Sequence, residues 1–267
     1  MITEDERIFL RQSWLGQLAM CPERARQDMV GLSERTETSN TMIGTAVHYG
    51  IEQCLNEMMM TGEPLNELDS VNSSMGYWNE HSHEIDNWNH TRENAEQIIE
   101  ANTKVWWNEV MPDMRPIAVE EQFEVPLTTL ESGTEVWLTG TIDCVQEFPY
   151  PITDWKNPGG KPRDEWLMKR WSVQAAAYTY AVNELYKFSE PLPFEFVHLI
   201  KGKVHRTMVN FGPVEWESLV ALAHSAGTLI EADLPTWPLN MAGWWCSPKW
   251  CGAWNTCRGK HAGPDPF

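Results

Sequence analysis

Gly140-Thr-Ile-Asp143 and Ile152-Thr-Asp-Trp-Lys156 are the two stretches on which the reading of this chain turns. The first belongs to residues 134–147, whose alternating apolar residues predict a β-strand. The second is a short strand that stops at Asn157-Pro158-Gly159-Gly160. Pro149 and Pro151 punctuate the join. Residues i and i+2 of a strand point to the same face, so Asp154 and Lys156 share one. An acid-x-Lys triplet alone says little, since roughly one arises by chance in a chain of this make-up. The setting is what carries weight. The triplet follows a strand that holds an acid, and it precedes a long helix predicted over 163–188. On that helix Gln174 and Tyr178 stand at i and i+4, on one face, and Arg170 extends the face by a turn.

Upstream, residues 117–127 read as another strand, with Ser132-Gly133 in the turn before 134–147. Residues 92–109 predict a helix. So do 41–60, where Ile43, Val47, Ile51, Cys54, Leu55, Met58 and Met59 make one apolar stripe. His48 and Glu52 form an i, i+4 pair beside it. Downstream, 194–201 and 204–211 form a hairpin around Gly202-Lys203, and Pro213 opens a helix to about 231. Residues 1–40 look helical but polar, 61–92 polar and irregular with room for a helix, and 235–267 aperiodic. This order of elements predicts a mixed α/β domain spanning 1–267.

The chemistry these residues suit is metal-assisted phosphodiester hydrolysis, which needs a cation to activate water and to neutralise charge on the phosphate. Asp143 and Asp154 would supply oxygen ligands to a hard ion such as Mg²⁺. Lys156 would orient the attacking water or hold a phosphate oxygen. Each residue also has a plainer reading: a histidine at the core edge for His48, a strand-end acid for Asp143, ordinary helix-face residues for Gln174 and Tyr178.

The chain has 267 residues, 42% hydrophobic and 22% charged, which excludes a disordered tail, a collagen and a coiled coil. No apolar run is long enough to cross a membrane, so no membrane partner is expected. MITEDERIFL lacks a basic n-region and an apolar run, so no secretory signal is read and a cytoplasmic location is expected. The net charge of −18 argues against a general nucleic-acid coat protein. Residues 156–206 are nonetheless locally basic, through Lys156, Lys161, Arg163, Lys169, Arg170 and others. They suit a grip on a polyanion at one place, or equally a solvated helix and hairpin.

Of the six cysteines, Cys246, Cys251 and Cys257 fall together, and in a reduced compartment such a trio points to metal before disulfide. Cys54 lies on the apolar stripe and Cys144 follows Asp143, so both read as core. The 15 tryptophans read mainly as core and as shielding for the cysteine region, with stacking on bases as a second use.

With Gly44-Thr-Ala-Val-His48, Gly140-Thr-Ile-Asp143, Asp154-Trp-Lys156, Gln174-Ala-Ala-Ala-Tyr178, Ser13 to Cys21-Pro22 and the terminal trio together, the chain resembles the RecB-like branch of the PD-(D/E)xK nucleases over about residues 12–258. The resemblance is to the iron–sulfur members: CRISPR-associated exonucleases, their phage relatives and the AddB nuclease domain. It implies a restriction-endonuclease-like fold, a mixed central sheet flanked by helices. It implies that His48, Asp143, Asp154 and the Trp155 carbonyl hold Mg²⁺ or Mn²⁺, that Lys156 is catalytic, and that Gln174 and Tyr178 support substrate or the lysine. Lys161, Lys169 and Arg170 are then expected at the DNA. Cys21 would join Cys246, Cys251 and Cys257 around a [4Fe–4S] cluster, a structural staple that pins 237–258 to the N-terminal helix and leaves 259–267 as a flexible tail. The same thiols also suit Zn²⁺. The implied activity is DNA hydrolysis, exonucleolytic on single-stranded ends. The chain departs from the family pattern in Ile142 where Pro is usual, in Asp154 where Glu is common, and in the four-residue gap after Cys246. A different class of function fits the same residues: a catalytically silent nucleic-acid-binding or scaffold module that keeps the staple.

Overall fold

A computed structural model describes residues 6–33, 36–160, 164–243 and 245–261; the side chains of 164–171 and 258–261 fall outside the described set. The elements run β1 (Arg7–Arg11), α1 (Gln12–Met20), α2 (Pro22–Met29), α3 (Ser39–Thr61), α4 (Glu67–His81), α5 (Arg92–Glu109), β2 (Pro116–Thr129), β3 (Glu135–Gln146), β4 (Ile152–Lys156), α6 (Asp164–Tyr186), β5 (Phe194–Leu199), β6 (Val204–Val209), α7 (Pro213–Glu231) and α8 (Trp254–His261). Among the described residues no helix is long and apolar enough to cross a membrane.

The strands form one mixed sheet, β1-β3-β4-β5-β6, with β2 also on β3. Long β3 is the hub. It pairs antiparallel with β2 along its length, parallel with β1 over Glu135–Thr139, and antiparallel with β4. The β4 to β5 pairing is parallel, so the chain must cross over between them, and α6 is that crossover. β5 then turns back into β6. This is the restriction-endonuclease-like arrangement, a mixed sheet between helices.

Two cores lie on the two faces. α1, α6 and α7 pack on one, around Leu15, Leu138, Ile142, Ala177, Phe194 and Phe196. α3, α4 and α5 pack on the other, around Val47, Ile51, Trp78, Ile99, Trp106 and Trp155. Each fully buried Leu, Ile, Val or Phe among them contributes on the order of 1.5–3 kcal/mol. β4 and β5 are covered on both faces and buried along almost their whole length, their polar residues Thr153, Asp154, Glu195 and His198 included.

The structure revises the sequence reading at three places. The first 40 residues are not all helical: Arg7–Arg11 form β1, whose consecutive Ile8, Phe9 and Leu10 show no alternation. The irregular 61–92 segment holds α4, whose buried stripe is Ser70, Val71, Ser74 and Trp78. That stripe is half polar, so its helical period was masked. Gly50 of α3 lets the two helices touch, since a Cβ there would fall 1.9 Å from Ser74 Oγ. The aperiodic C-terminal region contains α8, which takes in residues 259–261 of the expected tail; 262–267 lie outside the described residues.

Candidate active site

The site opens where β3 and β4 part. Their pairing is confined to Cys144 with Thr153, and beyond it the strands diverge. The Trp155 N–H therefore has no ladder carbonyl, and Asp143 Oδ2 accepts its hydrogen bond at 2.8 Å. A carboxylate thus fills a gap that strand pairing left. Asp154 and Lys156 project from β4 as i and i+2, and Lys156 Nζ lies 2.7 Å from Asp154 Oδ2. From α6, Gln174 Nε2 donates to Asp154 Oδ1 at 2.7 Å. Asp154 is fully buried and is held on both oxygens.

α3 brings His48 from the opposite core. Its start is set by a capping box between Thr38 and Thr41, and its end by Gly62 at φ +84°. His48 Nδ1 stands 3.5 Å from Asp143 Oδ2, and its ring hydrogen-bonds the Trp155 backbone. Burial, together with the charge of Lys156, lowers its pKa to about 4. The ring is therefore neutral at pH 7 and keeps a lone pair for a metal.

Glu120 completes the group and was absent from the sequence reading. The β2–β3 register pairs Val119 with Cys144 and Glu121 with Ile142, so Glu120 faces Asp143. Its φ is +50°, a conformation that costs a non-glycine residue roughly 1–2 kcal/mol. His48, Glu120 and Asp143 each offer a ligand atom within 4.8 Å of the others. One imidazole nitrogen and two carboxylates is a donor set that suits a divalent cation, and the nitrogen favours Mn²⁺ over Mg²⁺. This trio holds Glu120 where the expected set held Asp154, which is engaged by Lys156 and Gln174 instead. No signal in the sequence marked Glu120: Ile117, Val119, Phe123, Val125 and Leu127 keep one parity, whereas in the structure Ala118 is buried and Ile117 exposed, so the strand changes phase before Phe123.

Burial raises the pKa of each of these carboxyls. Asp143 and Asp154 move up to about 6, through burial in both cases, with Lys156 opposing. Glu120 moves up to about 8, through burial and then the charges of Asp143, Glu52 and Asp154. Such a cluster of raised carboxyls is charge-starved and favours a cation.

No family model matches this chain, and no curated protein does. The fold itself is shared. A candidate exonuclease from Eubacterium rectale, known from its crystal structure, aligns with a TM-score of 0.59 over 97% of this chain and 90% of its own, at 11% identity. SSO0001 aligns with a TM-score of 0.39 over 90% and 92%, also at 11% identity. The first likeness is one of fold; the second is too distant to add to it.

Tyr178, one turn beyond Gln174, is buried between Phe123 and Phe194 with ring centroids 5.9 and 6.0 Å away. Burial pushes its phenol pKa well up, so it stays protonated. Lys161 lies outside the described residues, as do the side chains of Lys169 and Arg170 on α6.

The four cysteines singled out in the sequence, Cys21, Cys246, Cys251 and Cys257, line one cavity between α2 and the C-terminal segment. Burial raises the Cys257 thiol to about 11, and Glu23 and the other cysteines add to it. No three of these sulfurs come within 4.8 Å of one another among the described residues. Cys54 and Cys144 are fully buried core residues, as read.

Proposed function

We propose that this chain is a metal-dependent nuclease that hydrolyses DNA, acting as an exonuclease on single-stranded ends. The observation that carries the reading is the meeting of His48, Glu120 and Asp143 beside the Asp154–Lys156 pair at the split of two strands. Its support also includes the fold shared with a candidate exonuclease. His48, Glu120 and Asp143 would hold Mn²⁺ or Mg²⁺, with Asp154 and the Trp155 carbonyl close by. A divalent ion there would lower the pKa of water and offset charge on the phosphate. The protein's own part is positional. Gln174 and Lys156 fix Asp154; Asp143 is fixed by the Trp155 amide; Lys156 presents an ammonium to a water or a phosphate oxygen at the same place. Water displaces the sugar oxygen from phosphorus, and one phosphodiester bond is exchanged for a phosphomonoester and a hydroxyl.

The test is hydrolysis of end-labelled single strands with Mn²⁺. Wild type should shorten them from an end, and Asp154→Ala and Lys156→Ala should each lose at least about 100-fold in rate. A wild-type protein that degrades nothing with either metal would overturn the reading.

The cysteine cavity belongs to the same proposal as a [4Fe–4S] staple. Four thiols lining one cavity suit a [4Fe–4S] cluster, and they suit Zn²⁺ as well. Protein purified without oxygen should absorb as a shoulder at roughly 400 nm, from thiolate-ligated iron, and Cys21→Ser should lose it. A colourless protein with stoichiometric zinc would replace iron with the other metal.

A further inference from the structure

The exposed face of β1 reads Arg7, Phe9, Arg11, with Ile8 and Leu10 turned into the core. A cation–aromatic–cation alternation is unusual on a chain of net charge −18. Phe9 is 36% exposed, high for its size. The parallel register sets it beside Trp137 of β3, with ring centroids 6.3 Å apart. The Arg7 guanidinium lies over the Trp137 ring at 5.1 Å. Glu135 locks the group from below: its Oε2 accepts from Arg7 Nε at 3.1 Å and from Trp137 Nε1 at 2.9 Å. Two aromatic rings and a guanidinium are thus held together beside one another, Phe9 exposed and Arg7 and Trp137 half-buried.

Their place on β3 tells what they could serve. Val136, Leu138 and Ile142 point into one core. Trp137, Thr139 and Thr141 therefore share the other face, and the same period leads to Asp143. At about 3.3 Å per residue, Trp137 stands about 20 Å up the strand from the candidate catalytic carboxylate. Trp137 and the site thus lie on one face of one strand.

We infer that Phe9, Trp137 and Arg7 form a stacking platform for single-stranded nucleic acid, with Arg11 beside it for phosphate, and that this platform feeds the strand along β3 to Asp143. Unpaired bases offer a π-face to such rings whatever their sequence, and a duplex hides those faces. The inference rests on the nuclease reading only for the direction of travel; the binding stands apart from it.

The test measures anisotropy of a fluorescein-labelled oligothymidylate with the full-length protein in metal-free buffer, where no hydrolysis interferes. Phe9→Leu and Trp137→Leu keep apolar bulk and remove the π-face. Each should weaken binding roughly tenfold, in line with stacking losses at other single-strand sites. Phe9→Tyr and Trp137→Phe should retain most of it, which a merely structural role of the rings would not require. The same protein should bind a duplex of equal length far less well. Leucine variants that bind within about twofold of wild type, or equal affinity for duplex, would overturn the platform. Its failure is separable from that of the nuclease. An active wild type with unaltered leucine variants removes the platform and leaves the nuclease; an inactive wild type with ring-dependent binding does the reverse.

Discussion

Asp143, Asp154 and Glu120 are acids that the native state holds partly protonated against their nature. Their native pKa values, about 6, 6 and 8, exceed those of an unfolded chain near 4. The native state therefore binds protons more tightly than the unfolded state between those limits, and metal-free stability falls as pH rises. Below about pH 4 the acids are largely protonated in both states and little penalty applies; above pH 8 the full penalty does. The melting temperature of metal-free protein should drop from pH 4.5 to pH 8, and Mn²⁺ should restore more at pH 8 than at pH 5, because metal competes with protons. Glu120→Gln should flatten the alkaline part of that fall while weakening the Mn²⁺ effect. A melting temperature that rises across the window would contradict the crowding of these acids. At this scale Asp143, Asp154, Lys156 and His48 were legible because each sits in a short pattern on a periodic element. Glu120 was not, since Glu120-Glu121-Gln122 has no pattern and only the partner strand tells which of them turns inward.

α3 is the element that delivers His48, and its position depends on α4. The two helices close through Gly50 against Ser70 and Ser74, and Ser74 Oγ lies 3.0 Å from Thr103 Oγ1 of α5. Gly50→Ala would force α3 and α4 apart, an overpacking that costs typically about 1–3 kcal/mol. Thermal melting should record the loss, and because His48 moves with α3, Mn²⁺ affinity by calorimetry should fall with it. Unchanged melting would show that α4 yields without cost. α3 could be read in the sequence because it has an apolar stripe. α4 could not, because contact through small hydroxyl side chains needs no apolar period. β1 escaped for another reason: Ile8, Phe9 and Leu10 are consecutively apolar, so no alternation marks it as a strand.

Over the whole molecule, the C-terminal segment is tied to α2 by more than thiols. Glu23, wholly buried, takes hydrogen bonds from Arg26 at 2.8 Å, from Gln27 at 2.7 Å and from the Trp237 amide at 2.7 Å. Burial alone would raise its pKa, but these partners outweigh it and hold it at about 2. Its contribution is present above the ordinary carboxylate pKa and is lost only as pH falls toward 2. Asn240 reaches the Met20 carbonyl, and Thr256 reaches Gln27. Glu23→Gln leaves Arg26 buried without its charge partner, a change that costs about 3–5 kcal/mol where such pairs have been broken. Limited proteolysis should then cut within 237–258 before the rest of the chain, and an unaltered digestion pattern would show that the cavity cysteines suffice. The amino-acid order settled what local periodicity settles: the alternating strands, the striped helices, the acid-x-Lys pair and the thiol-rich end. It could not settle which distant groups meet, because that depends on the chain reversing through β2, crossing over through α6 and returning to α2. Glu120 opposite Asp143, His48 on the far side of the sheet and Glu23 under Trp237 are neighbours only after those long loops close, and contacts of that range leave no period in the sequence.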